Sequence, residues 1–334
     1  MMSRFFTATT LLICTSAILL AAPKTTVTPG ARTVVLAHNA YPDHGKYADR
    51  IDRAIASGTP VMIEEDLAWI NGHSYIVHGA KNASPDDPTL ETYFFPKIKP
   101  VMEQALRDGN KGNWPIVTLY LDIKNDPPEH LQYINHLLDQ YNAWLTTAPK
   151  TGDPGQQSPL KFGPMMILVE DKQNDIKQRF FYDDVPAGGS IRVFGSYTKP
   201  VENPAHLPKL DFINSLVAVP MSQITTQKAD NYHRWWGVDW AYVEKGGEEH
   251  HGVWGKEQVA RLNEIVRYGH GLGYLMGFYC LDDFTAAENQ GWEDEYNFGS
   301  ISDVVPRWTA AIHAHADILS TDQYEVLAKQ IRAR

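Results

Sequence analysis

A chain of 334 residues, 43% hydrophobic and 21% charged, has the balance of a globular protein with a substantial core. Nothing in it is collagen-like or low in complexity. Its formal net charge of −10 argues against nucleic acid as a partner and against electrostatic adhesion to anionic membranes.

The N-terminal segment differs from the rest. After Arg4 an uncharged apolar run extends from Phe5 to Leu20-Ala21-Ala22, ahead of Pro23. One positive charge, an apolar stretch and small residues at its end read as a secretory signal peptide over 1–22, with an uncleaved membrane anchor as the alternative. The expected location is therefore secreted or periplasmic. Of the two cysteines, Cys14 lies in this leader, so Cys280 is left as a lone thiol and no internal disulfide is expected.

Beyond the leader, short β-rich apolar runs alternate with longer amphipathic stretches. The runs are 33–37, 60–63, 116–123, 166–169, 191–195, 274–281 and 317–320, with one further strand at either 216–219 or 238–243. Helical spacing of apolar residues predicts helices over 47–57, 130–145 and 256–268. The stretch 150–164, rich in Gly, Pro and Gln, reads as a surface loop. Gly269-His270-Gly271-Leu272-Gly273 precedes a strand, so it reads as a turn and not as a phosphate-binding loop. Strands alternating with helices imply a parallel sheet, and eight repeats imply closure. The expected fold is α/β, a single-domain (β/α)8 TIM barrel over 31–330.

In such a barrel the chemistry lies at the C-terminal ends of the strands. There the first strand runs into His38 and Asn39, and the second into Glu64, Glu65 and Asp66. A turn at Asn71-Gly72 then leads to Ile76-Val77-His78, and the third strand ends Asp122-Ile123-Lys124. Side chains two apart on a strand share a face, so Glu64 and Asp66 point together, as do Asp122 and Lys124, while Glu65 points away. Three converging carboxylates repel one another unless a cation neutralises them. Oxygen donors favour one hard divalent cation, Mg2+ or Ca2+. Two histidines above it suit acid–base work at phosphorus. Taken singly, each residue has a structural explanation, as a helix cap, a surface ion pair or a hydrogen-bonded histidine. The joint pattern at three successive strand ends favours chemistry.

These residues resemble the phospholipase C-like phosphodiesterase superfamily, which includes glycerophosphodiester phosphodiesterases and sphingomyelinases D. The likeness extends to Tyr279-Cys280-Leu281-Asp282 and to Asp317-Ile318-Leu319-Ser320-Thr321-Asp322. A closer likeness is to the group called altered inheritance of mitochondria protein six. Glu91-Thr92-Tyr93-Phe94-Phe95-Pro96 and Phe180-Phe181-Tyr182-Asp183-Asp184 carry it. The resemblance implies His38 and His78 as the acid–base pair, Glu64, Asp66 and Asp122 as metal ligands, and Lys124 on the phosphate. It also places Asn39 and Tyr279 at substrate-facing positions, where glycerophosphodiesterases usually carry Arg and Trp. Asp122 stands where those enzymes carry Glu. The implied activity is metal-dependent hydrolysis of a glycerophosphodiester or phospholipid-type substrate, with a cyclic phosphate as a candidate intermediate or product.

Glu170 and Arg192, read near the ends of the fourth and fifth strands, are expected to line the same pocket or to bridge each other. The aromatic segment Tyr232-His233-Arg234-Trp235-Trp236, with Trp240 and Tyr242, is either a packed strand and loop or a lip for peripheral contact with lipid. His250-His251 and His313-x-His315 are not read as a metal site. No obligate protein partner is expected. The competing readings are a barrel glycosidase with Glu65 or Glu170 as its acid, and a barrel that binds without turnover.

Overall fold

The computed structural model describes residues 26–43, 45–171, 176–197, 201–203, 205–247, 252–279, 281–284 and 297–333. The 1–22 segment, Cys280 and His250-His251 lie outside them. Among the described residues, eight parallel strands close into a barrel: β1 Val34–Ala37, β2 Val61–Ile70, β3 Val117–Ile123, β4 Met165–Val169, β5 Val193–Ser196, β6 His233–Val238, β7 Leu275–Phe278 and β8 Ile318–Thr321. Each strand pairs with its successor, and β1 pairs with β8 to complete the ring. The protein is thus a single-domain (β/α)8 TIM barrel. No helix among the described residues is long and apolar enough to cross a membrane.

The strands form where apolar β-formers run together, because a parallel barrel buries both strand faces. Two departures from the sequence reading concern strand limits. The sixth strand is neither 216–219 nor 238–243, since Leu216–Ala218 and Trp240–Tyr242 are short 3-10 turns. It is the aromatic segment itself, β6, every residue of which is buried. Trp235 and Trp236 supply the β-propensity that the charged and polar neighbours mask. They are part of the barrel wall and not an exposed lip. The second strand runs seven residues past Ile63. Its acidic residues stay in the ladder because Glu64, Glu65 and Asp66 pair with Tyr120, Leu121 and Asp122 of β3.

The helices differ at their ends. The first is Arg50–Ala56, shortened because Tyr47 has a left-handed φ of 62°. The second predicted helix starts at Pro128, a residue suited to a first turn, and stops at Asp139; Trp144 belongs to a separate turn. The third extends to Leu272, so Gly269-His270-Gly271-Leu272 is helix and only Gly273, at φ 93°, ends it. Gly269 is required there by contact. A Cβ on it would lie 1.9 Å from Met276 Sδ on β7, so its bareness lets helix and strand meet. His313 closes the helix Ile301–His313, and His315 follows with φ 65°.

Candidate active site

The long β2 turns back on itself beyond the barrel rim. Asn71 and Gly72, at φ 51° and 85°, make the tight turn that both residue types favour. The returning strand His73–Ile76 pairs antiparallel with β2. Val77 N–H then donates to the Asp66 carbonyl at 3.0 Å. The hairpin therefore brings His78 back beside Asp66, with His78 Nε2 3.8 Å from Asp66 Oδ2.

Register gathers the carboxylates. Asp66 pairs with Asp122 across β2 and β3, and Glu64 lies on the same face of β2. One oxygen from each of Glu64, Asp66 and Asp122 lies within 4.8 Å of the others. Lys124 Nζ sits 2.8 Å from Asp122 Oδ2 and 2.9 Å from Asp66 Oδ2. Asp66 Oδ2 also accepts from Tyr41 Oη at 2.7 Å, whereas its buried Oδ1 has no hydrogen-bond partner. Burial, then repulsion from its neighbours, pushes Asp66 up to about 7 and Glu64 up to about 8, against the relief that Lys124 and His38 provide. Burial works against the charge of Lys124, but Asp66 and Asp122 outweigh it and raise its pKa. A set of closely spaced oxygen donors, one of them orphaned, fits a hard divalent cation.

His38 is held from behind. Its Nδ1 lies 3.1 Å from Asp322 Oδ1, and its carbonyl accepts from Tyr324 Oη at 2.8 Å. Asp322 in turn pairs with Arg50, both about 2% exposed, and its N–H donates to Asp282 Oδ1 at 2.7 Å. Asn39 follows with φ 44°, a left-handed value that asparagine tolerates better than most residues.

All but one of the expected site residues line a single pocket of about 210 Å3: His38, Asn39, Glu64, His78, Asp122, Lys124, Glu170 and Tyr279. Asp66 lies immediately behind it, fully buried. Tyr279 Oη donates to Glu170 Oε1 at 3.3 Å. Arg192 does not join them. It precedes β5 at the opposite end of the barrel, pairs with Asp139 and donates to the Asn135 carbonyl at 3.0 Å. Standing before the strand's first residue, Val193, it cannot reach Glu170, which follows Val169 at the other end of the barrel. Glu65 faces outward, fully buried. A larger concavity of about 1020 Å3, lined by Trp114, Phe162 and Arg192, lies at the N-terminal ends of β3–β5, away from the carboxylates.

Several pocket residues were missed in the sequence. Tyr120, two residues before Asp122 and opposite Glu64 in register, lines the interior, as does Trp235. Asp322 was legible as a carboxylate immediately after β8, next to β1, but Arg50 carries no sequence signal of its role.

No protein-family model matches the chain, and no curated protein matches it. Solved structures of HPPK-DHPS from Plasmodium falciparum overlap it weakly. A triple mutant with pterin and p-hydrobenzoate gives 10% identity and a TM-score of 0.48, covering 91% of this chain and 48% of that one. The wild type gives 10% and 0.47, covering 91% and 46%. The chain thus spans about half the length of these structures, and overlap at this level carries no functional argument.

Proposed function

We propose that the protein is a phosphoric diester hydrolase of the phospholipase C-like type, exported from the cytoplasm and acting on a glycerophosphodiester or phospholipid-type substrate. One observation carries this reading. Two histidines, three carboxylates and a lysine from β1, β2 and its hairpin, and β3 converge on one pocket at the C-terminal end of the barrel. Glu64, Asp66 and Asp122 would hold one divalent cation, Mg2+ or Ca2+. When bound, it would polarise the phosphoryl oxygens and offset the charge gathering on them.

The chain's own residues supply the rest. Lys124 adds a second positive charge at the same oxygens. An Nδ1–H on His38 donates to the Asp322 carboxylate, which leaves Nε2 as the basic nitrogen and stabilises the imidazolium once it forms. His38 therefore takes the proton from the nucleophile, a neighbouring substrate hydroxyl or water. His78, at the more exposed rim, gives a proton to the leaving oxygen. Attack by the substrate's own hydroxyl closes a cyclic phosphate; attack by water gives the monoester directly. His38→Ala and His78→Ala should each lower kcat by about two to four orders of magnitude. Turnover within a few-fold of wild type in either variant would sink this assignment.

A further inference from the structure

The hairpin that returns His78 to the pocket extends past the ladder of the barrel. Backbone pairing between β2 and β3 ends at Leu67 and Ile123, with a last bond from Lys124 N–H to the Leu67 carbonyl at 2.8 Å. A two-stranded ribbon is marginal on its own, and here side chains stand in for a third strand. Asn125 continues the ladder with its amide: Oδ1 accepts from Trp69 N–H at 2.7 Å, and Nδ2 donates to the Trp69 carbonyl at 2.9 Å. Trp69 pairs with Ser74 across the ribbon. His130, fully buried in the first turn of the helix Pro128–Asp139, joins the same group. A carbonyl can only accept, so the 2.8 Å contact with the Asn125 carbonyl puts the His130 proton on Nδ1. Nε2 then accepts from Ser74 Oγ at 2.8 Å. Trp69 completes the clamp by stacking on the His130 ring, with centroids 5.3 Å apart.

Apolar side chains alone would hold a ribbon to a helix, without the desolvation that each buried polar group must recover through hydrogen bonds. What a satisfied polar network adds is direction, because its bonds fix one geometry. That geometry is passed along the chain, since Ser74 stands four residues before His78 on the returning strand. The His78 side chain is 42% exposed, so the backbone that carries it sets much of its position. We propose that Asn125, His130 and Ser74 are positioning residues, which hold the ribbon at the tilt that brings His78 to the leaving oxygen. None of the three lines the pocket, so they act through His78 and not on the substrate. This rests on the assignment of His78 as proton donor above and extends it.

A displaced proton donor shows itself through the leaving group. p-Nitrophenoxide departs readily without a proton, whereas the more basic phenoxide depends on one. Glycerol 1-(p-nitrophenyl phosphate) and glycerol 1-(phenyl phosphate) differ only there. With the full chain and added Mg2+ or Ca2+, the ratio of their kcat values should rise in His78→Ala. It should also rise, by about tenfold or more, in Asn125→Ala and in the ring-preserving pair His130→Phe with Ser74→Ala. In a His78→Ala background neither change should raise it further. Thermal unfolding checks that each variant is folded; if Asn125→Ala is not, the ring-preserving pair decides alone. A raised ratio in His78→Ala, with folded clamp variants that slow both esters equally or neither, overturns this inference and leaves the hydrolase reading standing. A flat ratio in His78→Ala overturns the proton-donor assignment and this inference with it. Hydrolysis of neither ester by the wild type overturns the hydrolase reading and the inference together.

Discussion

Asp322→Asn perturbs two things at once, and the structure separates them. The carboxylate links Arg50, on the first helix, to Nδ1 of His38. Arg50 and Asp322 are each about 2% exposed, so a neutral amide leaves a buried guanidinium without its counter-charge. Breaking a buried pair from one side costs about 3–5 kcal/mol. The shape is preserved, so His38 keeps its place but loses the charge that stabilises its protonated form. Losing that assistance should lower kcat by about two orders of magnitude, the lower end of what positioned general bases contribute. Urea unfolding gives the first quantity and turnover of a p-nitrophenyl diester the second. A double-mutant cycle isolates the coupling. In a His38→Ala background, Asp322→Asn should still destabilise the fold but leave the residual kcat unchanged. A folded Asp322→Asn protein within threefold of wild-type kcat refutes the link, as does a further hundredfold loss in the His38→Ala background.

Four other residues give further tests. His130 is fully buried, with Nδ1 2.8 Å from the Asn125 carbonyl and Nε2 2.8 Å from Ser74 Oγ, and burial lowers its pKa to about 4. Between an unfolded value near 6.5 and that folded value, only the unfolded chain takes up the proton. Stability should therefore fall as pH drops through this window, by up to about 3 kcal/mol, and urea titrations of His130→Asn should show a shallower decline. Glu65 and Glu64 are chain neighbours with opposite expectations. Both carboxyl oxygens of Glu65 are buried without hydrogen-bond partners, so Glu65→Leu should stabilise the protein by about 1–2 kcal/mol in urea. Glu64→Gln should instead abolish the rise in Tm that Mg2+ or Ca2+ produces by binding the folded state. Gly269→Ala should lower stability by about 1–3 kcal/mol on thermal unfolding, because its Cβ would meet Met276.

The barrel was legible because seven of its strands are apolar runs bounded by polar residues, the pattern that burial on both faces imposes. The eighth, β6, was hidden. Its apolar content is carried by Trp235, Trp236 and Val238 amid His233, Arg234 and Gly237, and strand pairing overrides that mixed composition. The acidic end of β2 fell outside the apolar run at 60–63 for the same reason, although strand alternation still placed Glu64 and Asp66 on one face. A strand interior rarely holds three carboxylates in a row, and here the pocket requires two of them to face it. His38, Glu64, Asp66, Asp122 and Lys124 could be placed from chain position, because alternation fixes which side chains share a face. His78 could be placed because Asn71-Gly72 defines a hairpin. What no local pattern contains is support from distant elements. Arg50 is 272 residues from Asp322, and Tyr41 bonds Asp66 across 25.

Hydrolysis of bis(p-nitrophenyl) phosphate by the protein, with EDTA and then with Mg2+ or Ca2+ restored, tests the central claim most directly. The account expects release of p-nitrophenol that chelation abolishes and one of the two ions restores, and that His38→Ala and His78→Ala both suppress. Activity indifferent to EDTA, or unchanged in both histidine variants, would contradict it.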